Sequence, residues 1–348
     1  MYNTNNSKPI IDWYNSNKRD LPWRNTKDPY KIWLSEIMLQ QTQVKTVIPY
    51  YNRWIAQYPT LISVANSNID QLLKSWEGLG YYKRCRNFHK ACKIIYKSYN
   101  GIIPKDYHSL MKLPGLGDYS SSAIMSIAFN ERYPAVDGNL NRVISRVLGI
   151  KNLTNHNKKR VKKFAGDIVQ CTRPGDVNQA LMDIGSLLCT PTKAECTKCP
   201  NQKICKASKS NNPLSYPNKI KKKPKPTVFM MAFCLMYNGK FAIQKRNKKN
   251  FLGYLWEFPS FESKSLDRLN ENVIYSYFGR EVKVQKKIGT VKHTYSHFKT
   301  VVDLYLCSVN NKKININKIK WIENKEFSKY AFSKLNHKLL SLIRSKDV

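Results

Sequence analysis

Apolar residues recur at helical spacing through the N-terminal part of the chain and at strand spacing beyond it. Ala123, Ile124, Ile127 and Ala128 lie on one side of a 3.6-residue repeat, as do Val143, Ile144, Val147 and Leu148. Leu34, Ile37 and Met38 make a core stripe in a helix that Asp28-Pro29 opens, since proline suits the first helical turn. Further helices are expected over 60–103, a basic helical connector over 151–173, and a helix over 177–188 with Gln179 and Asp183 on one side. Near position 227 the pattern becomes strand-like: 228–237, an Asn238-Gly239 hairpin turn, then 241–245. Strands around 282–288 and 300–307, a helix over roughly 265–278 and a closing helix complete the pattern. Residues 206–226 hold several Pro, Ser and Asn and the run Lys221-Lys222-Lys223, the composition of a linker. The expected protein is multidomain: an all-α domain at 1–206, a linker at 207–226 and an α+β domain at 227–348.

Two short segments in the helical part carry chemistry. In Leu113-Pro114-Gly115-Leu116-Gly117-Asp118-Tyr119, Pro114 stops one helix and Asp118 is placed to cap the next. Gly115 and Gly117 bracket Leu116 in a turn expected to be too tight for side chains at both positions. This is a helix-hairpin-helix pattern, and its hairpin can turn backbone N–H groups outward at a helix N-terminus to meet phosphate. Val136-Asp137-Gly138-Asn139 follows, with Asp137 just ahead of an amphipathic run. The helix dipole and free N–H groups there favour an ionised carboxylate.

Earlier in the chain, Glu36, Gln40 and Gln43 fall at i, i+4 and i+7, on one expected helix face. A carboxylate beside amides suits a polar planar ligand; a solvated polar face is the plainer reading, against which Trp33 nearby counts. Gly78-Leu79-Gly80-Tyr81-Tyr82-Lys83-Arg84, followed by Arg86, Asn87 and His89, offers aromatics to wedge between bases and cations for phosphates. A tyrosine-rich turn before a basic helix is the competing reading, and His89 alone is structural or a phosphate contact.

Charge sharpens the choice. The 348 residues contain 60 Lys+Arg against 23 Asp+Glu, a net +37, which favours a polyanionic partner, nucleic acid first. Abundant Lys, Asn and Ile also fit an AT-rich genome, so part of that charge is compositional. No run of about twenty apolar residues suggests a membrane span, and the polar N-terminus lacks a signal-peptide core. A cytoplasmic monomer is expected. Nine cysteines in such a chain point to reduced thiols or metal ligands. Cys189-x6-Cys196-x2-Cys199-x5-Cys205 has the makings of a closed four-thiolate site. Zinc and a [4Fe–4S] cluster both accept four thiolates, and the single close Cys-x2-Cys pair favours the cluster. Cys85, Cys92, Cys171, Cys234 and Cys307 show no pairing pattern.

Taken jointly, 35–43, the hairpin, 136–139, the cysteine spacing, Leu255-Trp256-Glu257-Phe258-Pro259 and 293–298 resemble the MutY-type adenine DNA glycosylases of the endonuclease III superfamily over nearly the whole length. The resemblance implies a helix-hairpin-helix glycosylase domain with a cluster loop, followed by a MutT-like (Nudix-like) domain. It implies excision of adenine mispaired with 8-oxoguanine or guanine in double-stranded DNA, by hydrolysis of the N-glycosidic bond after base flipping. By the same resemblance Glu36 protonates adenine and later handles water, Asp137 stabilises an oxocarbenium-like sugar, and Tyr119 and Asn139 support the pair. Gln40, Gln41, Tyr81 and Tyr82 fill the gap and probe the opposite base, Gly115 and Gly117 grip the backbone, and Ser296 and His297 read the oxidised base. Cys189, Cys196, Cys199 and Cys205 match the ligands of a [4Fe–4S] cofactor. A bifunctional lyase needs a lysine nucleophile after the hairpin glycines, where this chain has Tyr119. Nudix hydrolysis needs an Arg-Glu-x2-Glu-Glu run that does not follow Gly253, although Glu257 and Glu262 are present. Recognition without hydrolysis is therefore expected of the second domain.

Overall fold

The computed structural model describes residues 7–218, 224–263, 271–279, 281–311, 314 and 319–346. The 221–223 lysine run and the first part of the helix expected over 265–278 lie outside them. The chain forms two compact units, Met1–Asn66 with Asn87–Lys221, and Ser67–Arg86 with Lys222–Val348.

Helices come first: α1 (Ser7–Asn17), α2 (Pro29–Leu39), α3 (Val44–Gln57), α4 (Leu61–Asn66), α5 (Ile69–Ser75), α6 (Lys83–Ser98), α7 (Tyr107–Met111), α8 (Asp118–Ile127), α9 (Gly138–Leu148), α10 (Asn155–Ile168) and α11 (Pro174–Leu187). The start of α2 follows from its sequence: Asp28 Oδ1 accepts the Tyr30 N–H at 2.9 Å and Pro29 sets the first turn. Its stripe of Leu34, Ile37 and Met38 is buried, and Trp33 meets Phe88 edge-on at 4.5 Å. Ile10 and Tyr14 of α1 join the apolar faces of α9, α10 and α11 in one core. The region expected as a basic connector thus contributes Val161, Phe164, Ala165 and Ile168 to that core. Helix α9 ends at Gly149, whose φ of +67° is the left-handed cap that glycine adopts without strain.

The second unit contains, among the described residues, a seven-stranded sheet: β1 (Thr227–Tyr237), β2 (Lys240–Lys245), β3 (Trp256–Glu257), β4 (Ser260–Ser263), β5 (Val282–Thr294), β6 (Lys299–Val309) and β7 (Ile319–Ile322). Its order is β3-β2-β1-β6-β5, with β4 on β1 and β7 on β2. Strands β1 and β6 are parallel, Ala232 opposite Leu304, and the other pairs antiparallel. Positive φ at Asn238 and Gly239, 46° and 70°, marks the expected tight hairpin turn. Alternation along β1 sends Met231, Phe233 and Leu235 toward α12 (Glu271–Phe278), and Ala232 and Cys234 toward α13 (Lys334–Arg344). Helices thus cover both faces.

One segment departs from a simple division of the chain. Residues 67–86 lie in the expected first domain by sequence but pack with 222–348. Asp70 pairs with Lys245 at 2.7 Å, and Lys74 Nζ donates to the Tyr330 carbonyl at 3.0 Å. Glu77 accepts from the Phe332 N–H and contacts His337 Nε2, both at 2.7 Å.

Candidate active site and four-cysteine loop

The first unit brings Glu36 of α2, Tyr119 of α8 and Asp137 at the head of α9 into one neighbourhood. Glu36 is 5% exposed, and the Tyr119 hydroxyl donates to its Oε2 at 2.6 Å. Burial pushes the Glu36 carboxyl up to about 7, and Asp137 nearby adds to the rise, while the Tyr119 hydrogen bond and Arg24 pull it down. Burial also raises the Tyr119 phenol well above its ordinary value, so it remains a donor.

Asp137 caps α9: its Oδ1 accepts the Leu140 N–H at 2.7 Å and its Oδ2 the Asn139 amide at 3.2 Å. These bonds favour the ionised form, as the sequence suggests, yet burial outweighs them and lifts this carboxyl above its ordinary value. The network continues from Asn139 Oδ1, which accepts from Arg142 at 3.0 Å, to the Cys189 carbonyl, which accepts Arg142 Nε at 2.9 Å. One turn on, Arg146 donates to Cys189 Sγ at 3.1 Å and to the Thr190 carbonyl at 2.8 Å. Helix α9 therefore touches the candidate chemistry at one end and the cysteine loop along its side. Neither arginine stands out in the sequence, except as two cations four apart behind Asp137.

Several expectations need correction. Asp118 does not cap α8: Gly117 is the N-cap, and Asp118 accepts from Tyr107 at 2.6 Å and pairs with Lys162 at 2.8 Å. Gly115 does require glycine, since its φ is +84° and an added Cβ would lie 2.8 Å from Asn87 Cβ. Gly117 does not: its φ is −123° and a Cβ there meets nothing within 4 Å. No side chain caps α8, so its first N–H groups remain suited to an outside acceptor. Glu36, Gln40 and Gln43 do not share a helix face, because α2 ends at Leu39 and Gln43 starts α3. Gln40 and Gln41 form the turn between them, with Gln41 at a φ of +56° and the Gln40 amide donating to Ser120 Oγ at 3.2 Å.

In the second unit the two tyrosines divide. Tyr81 is 41% exposed at a φ of +48°, whereas Tyr82 is 5% exposed, its hydroxyl accepting the Gly78 N–H at 3.2 Å and donating to the Phe332 carbonyl at 3.3 Å. Burial removes Tyr82 from any surface contact. Ser296 and His297 occupy the exposed turn between β5 and β6, and Ser296 Oγ lies 3.2 Å from the Tyr81 hydroxyl. Glu257 forms a largely buried ion pair with Arg246, while Glu262 is exposed on β4. His89, Cys85, Cys92, Cys234 and Cys307 are buried.

Cys189, Cys196, Cys199 and Cys205 line one cavity with Arg146, Leu188 and Ala207. Among the described residues, no group of three or more His, Cys, Asp or Glu is set closely enough to hold a single metal ion. Four cysteines lining one cavity have the donor set of a group held by several thiolates. Burial pushes Cys199 up to about 12 and raises Cys196, while the Arg146 guanidinium pulls Cys196 down.

The fold and site together define a helix-hairpin-helix base-excision glycosylase carrying a Nudix-type second domain. Residues 34–171 match the HhH-GPD superfamily of base excision DNA repair proteins, and residues 231–342 match the NUDIX domain. The adenine DNA glycosylase of Buchnera aphidicola subsp. Schizaphis graminum is 37% identical over 302 residues, covering 84% of each chain. That of Buchnera aphidicola subsp. Baizongia pistaciae is 37% identical over 324 residues, covering 90% of this chain and 89% of its own. A thermostable thymine-DNA glycosylase structure aligns with a TM-score of 0.54 at 29% identity, over 58% of this chain and 94% of that one. The chain belongs to the adenine DNA glycosylase family. Among the described residues no helix is long and apolar enough to cross a membrane.

Proposed function

We propose that this cytoplasmic, monomeric protein releases adenine from A:8-oxoguanine and A:G mispairs in duplex DNA. The observation that carries the reading is a buried acid, Glu36 at about 7, gripped by Tyr119 and facing Asp137. Adenine leaves slowly as an anion, so the reaction needs a proton at the ring. Near neutral pH a carboxyl poised at about 7 is both protonated often enough and acidic enough to supply it. Glu36 gives its proton to a ring nitrogen, the N-glycosidic bond breaks with its electron pair going to the base, and positive charge develops on the sugar. Asp137, held by Leu140 and Asn139, answers that charge. Water then adds to the sugar carbon and the Glu36 carboxylate takes its proton, which restores the acid.

The remaining residues serve docking. The Gly115–Gly117 hairpin and the uncapped start of α8 suit a backbone phosphate. Gln40, Gln41 and the exposed Tyr81 suit the gap left by the flipped adenine, with Tyr82 as buried support. Ser296 and His297 suit the edge where 8-oxoguanine carries an oxygen at C8 and a proton at N7. Cys189, Cys196, Cys199 and Cys205 would hold a [4Fe–4S] cluster, which supplies a redox-capable inorganic core anchored by the loop. Tyr119 in place of a lysine speaks against a lyase, and Glu257 committed to Arg246 speaks against nucleotide hydrolysis. The test is adenine release from a duplex with one A:8-oxoguanine pair, revealed by alkaline cleavage at the abasic site. Strand cleavage without alkali, or no release, would overturn the reading.

A further inference from the structure

The sequence offers Arg84 and Arg86 as cations for phosphate, yet both guanidinium groups turn onto the protein itself. Arg86 donates to the Lys248 and Gly253 carbonyls, each at 3.2 Å. Arg84, half-buried at the head of α6, donates through Nη2 to the Gly80 carbonyl at 3.0 Å and to the Leu79 carbonyl at 3.3 Å. Trp76 Nε1 donates to the same Gly80 carbonyl at 3.0 Å. The central carbon of Arg84 lies 5.4 Å from the centre of the Trp76 ring and 5.4 Å from that of the Tyr81 ring.

The peptide bond is planar, so two donors that fix the Gly80 oxygen also fix the Tyr81 nitrogen. Tyr81 depends on that hold. Its φ of +48° is sparsely populated for a bulky side chain and persists only where neighbours impose it. The ring itself is exposed, with Arg84 against its face and Ser296 Oγ 3.2 Å from its hydroxyl.

We propose that Arg84 is a positioning residue for the Tyr81 wedge: it locks the Gly80–Tyr81 peptide and seats the phenol ring, so that the ring meets the base stack at one set angle. The inference rests on the reading of Tyr81 as a wedge. A ring held before docking loses less freedom on entering the duplex than one that swings. Arg84 thereby serves DNA through another side chain and not as a phosphate contact.

Adenine release from the A:8-oxoguanine duplex is measured under single turnover with the full-length protein, and duplex binding is measured against salt. Arg84→Met keeps the apolar stem and removes the donors. It should slow release by roughly ten- to a hundredfold. In a Tyr81→Ala background the same change should cost less than about twofold, because the ring it seats is already gone. Loss of a phosphate contact would flatten the log–log salt dependence of binding by about 0.9; Arg84→Met should leave it unchanged. Arg84→Lys keeps the charge and should still slow release, since an ammonium does not reproduce a stacked guanidinium fork. A wild-type rate in Arg84→Met, equal losses in both backgrounds, a flattened salt dependence or full rescue by lysine overturns the positioning role. Should Arg84→Met not fold, Arg84→Lys decides by the same pair of backgrounds: equal loss in both, or no loss, overturns it. A wild type that releases no adenine, or Tyr81→Ala at the wild-type rate, overturns the reading beneath this inference and the inference with it. A slow Tyr81→Ala with an independent Arg84 effect removes Arg84 alone.

Discussion

The Tyr119 hydroxyl donates to Glu36 Oε2 across 2.6 Å, joining α8 to α2 at the buried acid. This bond stabilises the carboxylate over the carboxylic acid and so pulls Glu36 down against the upward push of burial. Tyr119→Phe removes the pull. Glu36 should then hold its proton to higher pH, and the falling limb of the adenine-release profile should move to higher pH. A limb displaced to lower pH would show that Tyr119 acts on Glu36 in some other way.

Glu36→Gln should abolish adenine release while leaving mispair binding largely intact, because the acid acts after docking. The same variant should reveal the cost of the site. Glu36 rises from 4.5 to about 7 on folding, so its stability contribution is fully present below 4.5 and is lost as pH climbs through 7. Over that window the loss is roughly 3 kcal/mol at most. Thermal melts should show the Gln variant gaining on the wild type between about pH 5 and about pH 8. Parallel melts across the range would mean that Glu36 is not the buried, pH-sensitive group.

Asp137→Asn keeps the cap on α9, since an amide oxygen can still accept from Leu140, but removes the charge. Single-turnover release should slow by about 10²–10³, the scale for one fixed charge in a closed site. Retained thermal stability alongside that loss separates chemistry from folding; wild-type rates would remove Asp137 from the chemistry.

The cysteine loop can be tested by colour and composition. The purified protein should be yellow-brown with about four iron atoms per chain. Cys199→Ala should lower the iron content and weaken binding to duplex DNA. Arg146→Gln, which breaks the contacts to Cys189 Sγ and the Thr190 carbonyl, should lower iron retention with all four thiols intact. A colourless, folded protein with stoichiometric zinc would refute the cluster.

Lesion reading is best tested by point changes. Ser296→Ala with His297→Ala should reduce the preference for 8-oxoguanine over guanine opposite adenine, at about 0.5–1.5 kcal/mol per lost hydrogen bond. Deleting 227–348 should weaken discrimination more broadly. It also removes the partners of Asp70, Lys74, Glu77 and Tyr82 and so unseats the segment bearing Tyr81. Unchanged discrimination in the double alanine variant would reassign lesion reading to Gln40, Gln41 and Tyr81.

Much that depends on near neighbours is legible in the sequence, although the Asp118 cap and the need for glycine at 117 are misread from it. Asp28-Pro29 opens α2, Asp137 caps α9, Asn238-Gly239 turns β1 into β2, and the change from helical to strand spacing separates the two kinds of unit. Caps, tight turns and amphipathic periods are settled within a few residues, so the chain states them locally. Tertiary packing was needed to settle which of two adjacent tyrosines is covered, that 67–86 packs with 222–348, and that Gln43 leaves the face of Glu36. The short strands β3, β4 and β7 likewise show little periodicity of their own and exist through their pairing with β1 and β2. The same holds for the Arg24–Asp183 ion pair: its two residues stand 159 positions apart, and nothing local in either announces the other. Burial arises only when distant segments meet, and burial is the largest influence on the proton affinity of Glu36.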